Sequence, residues 1–205
     1  MGLTKSRSRP LHGDELVELV ECTGLNPSIL RRWHREFIKD FPRAYFTREE
    51  MKVAFRTMFP DGYPDCFMDI IFNAMDKRRI GYVTFRDFVK TIAITVIGTE
   101  DDKLNWAFDV FDQKGDGFVT LDELINVVEA LWQLHGESPD MEDHKLHFIR
   151  RRTRLIFRRL DVKKEGRISR DQFRDVLKQD QWVIKNVLHV YSSAVGTSSR
   201  VVQSP

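Results

Sequence analysis

Four segments of the chain repeat one pattern of apolar and polar residues. In each, an apolar residue is followed by Ser or Thr, two further residues, an acidic residue or Gln, and another apolar residue. The segments are 46–51, 83–88, 119–124 and 168–173. A Ser or Thr hydroxyl and the side chain three residues later can satisfy each other's backbone N–H groups at a helix start, an arrangement called a capping box. Each segment therefore predicts the first turn of a helix.

A second helical pattern precedes each capping box. Before the first box, for example, apolar residues recur at helical spacing at Trp33, Phe37 and Ile38. Three of the four intervening loops have Gly three residues before the capping hydroxyl, where a sharp turn needs an unhindered backbone. These glycines are Gly81, Gly117 and Gly166, and the first loop has Ala44 instead. The pattern predicts four helix-loop-helix units.

The spacing is that of the EF-hand, in which a twelve-residue calcium-binding loop makes a sharp turn at its sixth residue. In this register the loops begin at Lys39, Asp76, Asp112 and Asp161. Their apolar eighth residues are Phe46, Val83, Val119 and Ile168. We expect these residues to pair across short two-stranded ribbons, joining hand one to hand two and hand three to hand four. The predicted fold is all-α, with four EF-hands paired into two lobes.

Two segments and one spacing resemble the neuronal calcium sensors, the family of recoverin, frequenin, the guanylate cyclase activating proteins and the Kv channel interacting proteins. The segments are 30–40 and the junction 98–108, and the spacing is the longer gap before the fourth hand. The resemblance covers about residues 14 to 190 and implies a regulatory binding protein. No nucleophile elbow, Gly-rich phosphate loop or zinc signature points to an enzyme. The expected division is 1–11, a flexible and acylatable N-terminus; 12–97 and 98–190, the EF-hand pairs; and 191–205, a flexible tail.

The third loop has the most complete set of calcium ligands. The predicted ligands are Asp112, Asp116, the backbone carbonyl of Phe118, Thr120 at the water-bridged ninth position and Glu123 as the bidentate twelfth residue. Lys114 places a cation at the third ligand position, so the site's side chains sum to a charge of about −2. We expect at most one weak site, for Ca²⁺ or Mg²⁺.

The other three loops lack essential oxygen donors. The second has Arg78 and Ile80 at the third and fifth positions, and the fourth has Lys163 and Gln172 at the third and twelfth. The first has Lys39, Phe41 and Arg43 at ligand positions. These losses leave a second hypothesis open, in which the chain is a calcium-insensitive adaptor that holds its partner constitutively.

The N-terminal residues Met1 to Ser6 fit a myristoylation motif with Gly2 as the acylated residue. A single myristoyl chain binds membranes only marginally, and the nearby Lys5, Arg7 and Arg9 would add electrostatic attraction. No N-terminal apolar run resembles a secretory signal, and the net charge of +2 does not suggest nucleic-acid binding. We expect a cytoplasmic protein that associates reversibly with membranes.

Eight apolar residues match positions that line the hydrophobic groove of the resembled family. They are Trp33, Phe37, Met51, Phe55, Met58, Phe85, Phe88 and Ile92. The resemblance implies that this groove binds an amphipathic helix of a membrane protein or signalling enzyme, such as a channel, cyclase or kinase. The alternative is that these residues are ordinary core. Residues 180–188 resemble the family's last helix, which can cover part of the groove.

A basic run occupies the helix before the fourth loop, including Arg150, Arg151, Arg152 and Arg154. It suits either an acidic lipid or protein partner, or a simple solvated helix face. In the same region His144 and His147 are three residues apart, but no third metal ligand is near in sequence, and surface histidines are the better interpretation.

Overall fold

The structure is a computed structural model that describes residues 10–11, 13–136, 138 and 143–179. The acylation motif at Gly2, its basic neighbours, the segment 180–188 and the predicted tail lie outside the described residues.

Helices and three-residue strands alternate in the described part of the chain as four helix-loop-helix units preceded by one further helix. In chain order the elements are α1 (Asp14–Thr23), α2 (Pro27–Asp40), β1 (Tyr45–Thr47), α3 (Arg48–Met58), α4 (Asp65–Met75), β2 (Tyr82–Thr84), α5 (Phe85–Ile97), α6 (Glu100–Phe111), β3 (Phe118–Thr120), α7 (Leu121–Leu134), α8 (Asp143–Leu160), β4 (Arg167–Ser169) and α9 (Arg170–Gln179). The predicted all-α fold with short ribbons is confirmed.

Two antiparallel ribbons join the loops in pairs, β1 with β2 and β3 with β4. Phe46 lies opposite Val83, and Val119 lies opposite Ile168, as the register predicted. All four side chains are buried. Each ribbon therefore brings two loops together through an apolar pair in the core.

The predicted capping boxes are present at the helices that leave the loops. At α3, α5 and α7 a threonine hydroxyl accepts from the third residue's N–H, and that residue's carboxylate accepts from the threonine N–H. In the fourth hand, the Ser169 hydroxyl and the Gln172 amide oxygen make the same exchange. A further box, formed by Thr99 and Asp102, opens α6 and was not predicted.

The first hand differs from the others in where its entering helix ends. Helices α4, α6 and α8 end immediately before Asp76, Asp112 and Asp161, whose carboxylates accept from loop amides. Lys39 cannot accept such hydrogen bonds, and α2 continues two residues further, to Asp40. Ala44 still adopts the positive φ of the sixth loop position, 63°.

One hydrophobic core runs through all four hands. It includes Phe37 and Phe72 from the first two hands and Phe108 and Phe173 from the last two. Polar contacts also cross between the halves, as where the Tyr63 N–H donates to the Gln133 carbonyl at 2.9 Å. The division into lobes at 12–97 and 98–190 stays a prediction. Among the described residues, no helix has both the length and the apolar character needed to cross a membrane.

Candidate calcium site and its counterparts

Asp112 organises the third loop from inside. It is 8% exposed, and its carboxylate accepts hydrogen bonds from the N–H groups of Gly115, Asp116 and Gly117 at 2.8–3.1 Å. The positive φ angles of Gly115 and Gly117, 71° and 85°, let the backbone wrap around this carboxylate. The loop is therefore folded around the first predicted ligand.

Glu123 approaches the same region from the start of α7. It is 3% exposed, and one carboxylate oxygen accepts from the Lys114 N–H at 3.2 Å. The other accepts from the Thr120 N–H and hydroxyl at 2.9 and 2.6 Å. Because Asp112 and Glu123 accept from the neighbouring amides of Gly115 and Lys114, the two carboxylates lie close together within the loop.

The remaining predicted ligands lie nearer the surface. Asp116 is exposed, and its carboxylate accepts from the Phe118 N–H at 3.0 Å. Phe118 and Thr120 belong to β3. Lys114 is exposed and forms no ion pair within the described residues, so its ammonium is not held against the loop's carboxylates.

The third loop fits a hard divalent cation by its donor chemistry. Two buried carboxylates, a third carboxylate, a hydroxyl and a carbonyl are the oxygen ligands that Ca²⁺ prefers. The carboxylates are turned to loop amides, and no three His, Cys, Asp or Glu side chains in the described residues are gathered closely enough to hold a metal ion. The ligand set Asp112, Asp116, Phe118, Thr120 and Glu123 stays a prediction.

The second loop has the same backbone frame but an internal cation. The Asp76 carboxylate accepts from the N–H groups of Ile80 and Gly81 at 3.0 and 2.7 Å. Arg78, at the third position, pairs with Asp87, the twelfth residue, at 3.2 Å. A guanidinium therefore neutralises the carboxylate that would otherwise be offered to a metal, and the Ile80 side chain has no oxygen to offer.

The twelfth residue of the first loop is also paired with an arginine of the same loop. Arg43, at the fifth position, pairs with Glu50, the twelfth residue, at 2.6 Å. Hydrogen bonds from the Thr47 N–H and hydroxyl, together with Arg43, lower the pKa of Glu50 despite some desolvation, with the backbone N–H as the largest cause. Glu50 is therefore an anion whose charge is already matched within its own hand.

The fourth loop is neutral at its twelfth residue. The Gln172 amide oxygen accepts from the Ser169 N–H at 2.9 Å, and its buried nitrogen has no partner among the described residues. Lys163 at the third position is exposed, and Glu165 at the fifth lies 3.9 Å from Arg167. No bidentate anion is available here.

The eight predicted groove residues divide by burial. Phe37, Met51 and Phe85 lie in the core. Half-buried are Trp33, Phe55, Met58, Phe88 and Ile92. The Phe37 ring contacts those of Phe85 and Phe88, with centroids 5.4 and 5.8 Å apart. A docking helix would reach the half-buried members directly and the other three only if the surrounding helices moved.

A set of contacts between the second and third loops was missed at the sequence level. The Arg79 guanidinium donates to the Gln113 carbonyl at 3.0 Å. Lys77 pairs with Asp109 of α6, which also pairs with Arg170 of α9. These contacts connect the candidate calcium site to the second loop, which lacks the oxygen donors that calcium needs. No local motif signals such contacts, since the partners lie more than 30 residues apart.

Comparisons with known proteins agree with this architecture. A family model described as an EF-hand domain pair matches residues 101–178. Neuronal calcium sensor 1 from Lymnaea stagnalis is 31% identical over 185 residues, which is 90% of this chain and 95% of that protein. The protein of the same name from Aplysia californica gives the same values. Guanylyl cyclase inhibitory protein from Lithobates pipiens is 29% identical over 154 residues, 75% of this chain and 74% of that protein. None of these names describes an enzyme.

Proposed function

Because the chain belongs to the neuronal calcium sensor family, we propose that it is a regulator whose calcium response comes from the third hand alone. The observation that carries the proposal is the contrast in ion pairing. The inner carboxylates of the third loop have no cationic side-chain partner among the described residues, whereas the twelfth-residue carboxylates of the first two loops are paired with Arg43 and Arg78. The fourth loop has a neutral twelfth residue.

The proposed site uses Asp112, Asp116, the Phe118 carbonyl, Thr120 and Glu123. When bound there, Ca²⁺ would supply the positive charge that these oxygen ligands share. Its predicted affinity is low, because Lys114 removes one ligand and adds a cation. Dissociation constants of about 10⁻⁵ to 10⁻³ M are expected. Calorimetry on the full chain should find one ion in this range, and two or more tighter sites would contradict the proposal.

We further propose that the protein passes this response to an amphipathic helix of a membrane protein or signalling enzyme. Half-buried Trp33, Phe55 and Phe88 would be the first contacts. If calcium increases groove exposure, a dye that fluoresces in apolar surroundings should brighten on calcium addition. Changing Phe55 to Gln should reduce that response, whereas changing the isolated exposed Val53 should not. An unchanged signal in Phe55→Gln would place the dye elsewhere.

The proposed location is the cytoplasm, with reversible membrane attachment through myristoyl at Gly2 and the basic residues behind it. Coexpression with an N-myristoyltransferase should add the mass of one myristoyl group. Gly2→Ala should abolish both this mass and the acyl-dependent part of vesicle binding. Partitioning that is the same for the acylated protein and the Ala variant would exclude the anchor.

The second candidate is the calcium-insensitive adaptor. The arginine pairs in the first two hands favour it, because they neutralise the twelfth-residue carboxylates of those hands without metal. Calorimetry decides between the two functions: a chain that binds no calcium at millimolar concentration is an adaptor.

A further inference from the structure

Helix α8, which leads into the fourth loop, presents a mixed apolar and basic face to solvent. Its buried residues line the side facing the core: Ile149, Thr153, Ile156, Phe157 and Leu160. On the opposite side lie Phe148, Arg151, Arg152, Leu155 and Arg158, which we call the α8 face. All five are exposed.

The apolar members of the α8 face are unusually open. Phe148 and Leu155 are 50% and 49% exposed, and Val162, two residues beyond the helix, is 64% exposed. A spacing of seven residues is about two helical turns, so Phe148 and Leu155 lie on one side of α8 about 10 Å apart along its axis. The other side of α8 is already packed against the core. Phe148 and Leu155 therefore remain available to contact a second apolar environment.

The arginines of α8 differ in how they are paired within the described residues. Helix α8 contains seven basic residues and one acidic residue, Asp143. Arg150, on the side facing α7, pairs with Glu129 at 2.7 Å, and this contact raises its pKa. Arg151 and Arg158 have no carboxylate partner in the described part of the chain, and Arg152 lies over the Phe148 ring at 5.5 Å. The fold therefore pairs Arg150 with a carboxylate and leaves the charges of Arg151 and Arg158 open to solvent.

We propose that the α8 face is an interfacial binding surface for anionic lipid bilayers. A helix with an apolar stripe flanked by arginines lies in the membrane interface, with the stripe in the acyl boundary and the guanidinium groups at the lipid phosphates. An acidic protein segment or a nucleic acid would match the arginines but would not by itself need Phe148 and Leu155. The α8 face lies outside both the third loop and the N-terminal motif, so the proposed binding requires neither calcium nor acylation at Gly2.

The test is co-sedimentation of the full chain, produced without N-myristoyltransferase, with phosphatidylcholine vesicles that either contain or lack phosphatidylserine. Binding is expected only when phosphatidylserine is present, and it should weaken as salt is raised. Arg151→Gln with Arg158→Gln should weaken partitioning about 25-fold, since each basic residue at such a surface contributes about fivefold. Leu155→Gln should weaken it about three- to tenfold.

Matched controls come from other helices. Arg31→Gln with Arg35→Gln removes the same charge from exposed positions on α2, and Val53→Gln removes a 61% exposed apolar residue from α3. Both controls should bind within about twofold of the unmodified chain. Circular dichroism melting checks that every variant is folded.

Three results would overturn the proposal. The unacylated chain could fail to bind phosphatidylserine vesicles, or the α2 control could lose as much binding as the α8 arginine variant, which indicates a general charge effect. Alternatively, Leu155→Gln could bind vesicles normally while a soluble glutamate-rich peptide binds the chain and competes with them. That result would identify the α8 face as a site for acidic protein segments.

Discussion

The second and third loops have nearly the same backbone and differ in what satisfies their carboxylates. In both, an aspartate at the first position accepts from the amide of the sixth-position glycine, and those glycines have φ angles of 84° and 85°. In the second loop Arg78 pairs with the twelfth residue, whereas in the third Lys114 stays in solvent and Glu123 accepts from its backbone N–H.

The comparison shows that a basic residue at the third position can have two different consequences. The shorter twelfth residue of the second loop, Asp87, accepts an arginine that reaches it from across the loop. Lysine has a single ammonium on a flexible stem, and its charge is readily kept in water. The arginine supplies an internal substitute for the metal, while the lysine only weakens the site.

The largest expected effect is on the twelfth residue of the third loop. Glu123→Gln removes the proposed bidentate anion and should reduce calcium affinity by about 100-fold or more, measured by calorimetry. The matched change Asp87→Asn in the second loop should leave calcium binding unchanged. If Asp87→Asn lowers the measured affinity, the second loop binds metal and the contrast between the loops is wrong.

Lys114→Asp should have the next largest effect. It replaces a cation with a ligand and moves the local side-chain charge from about −2 to about −4, so calcium affinity should rise at least tenfold, equivalent to about 1.4 kcal/mol. The counterpart Arg78→Asp should create no site, because Ile80 still offers no side-chain oxygen. If Lys114→Asp shows no calcium binding, the third loop is structural only, and the adaptor function is the better conclusion.

The glycines at the sixth position test whether the two backbones are equivalent. Gly81→Ala and Gly117→Ala should each lower the free energy of unfolding by about 1 kcal/mol without calcium, because both residues have positive φ. A Cβ at either position would meet no atom within 4 Å, so the cost is conformational. Urea unfolding in chelator measures both variants. Losses that differ by more than about 1 kcal/mol would contradict the equivalence.

The smallest expected effect is that of the Arg78 pair on stability. The Arg78 side chain is 61% exposed, and exposed ion pairs contribute between 0 and about 1 kcal/mol. Arg78→Gln should therefore lower the free energy of unfolding by less than about 1 kcal/mol, and Lys114→Gln, which breaks no pair, should leave it unchanged in chelator. A larger loss in Lys114→Gln than in Arg78→Gln would reverse the proposed roles of these residues.

Local spacing was enough to predict the frame of each hand. The capping boxes depend on residues three apart, and the ribbon pairs Phe46 with Val83 and Val119 with Ile168 follow once the loop register is known. The same local rules missed α1 as a separate element and the box at Thr99, since neither belongs to the fourfold repeat. They also placed the first two residues of the first loop, Lys39 and Asp40, outside α2, whereas the helix continues through both.

Periodicity could not separate core from accessible groove. Phe37 and Phe88 contact each other, yet Phe37 is buried and Phe88 is half-buried, because their exposure depends on which other helices cover them. The exposure of one side of α8 likewise depends on which helices pack against it. The basic run was visible in the sequence, but only packing decided that Arg150 meets Glu129 while Arg151 and Arg158 face solvent.

The sequence by itself determined the EF-hand frame, because hydrogen bonds between residues a few positions apart specify each loop and helix start. It also determined which loops lack oxygen donors. Only the tertiary structure decided how the surplus cations are used: Arg78 is turned onto Asp87, Lys114 is left in water, and Arg79 reaches Gln113 of the next loop. Long, flexible side chains choose partners by distance in space, and that distance exists only after the helices have packed.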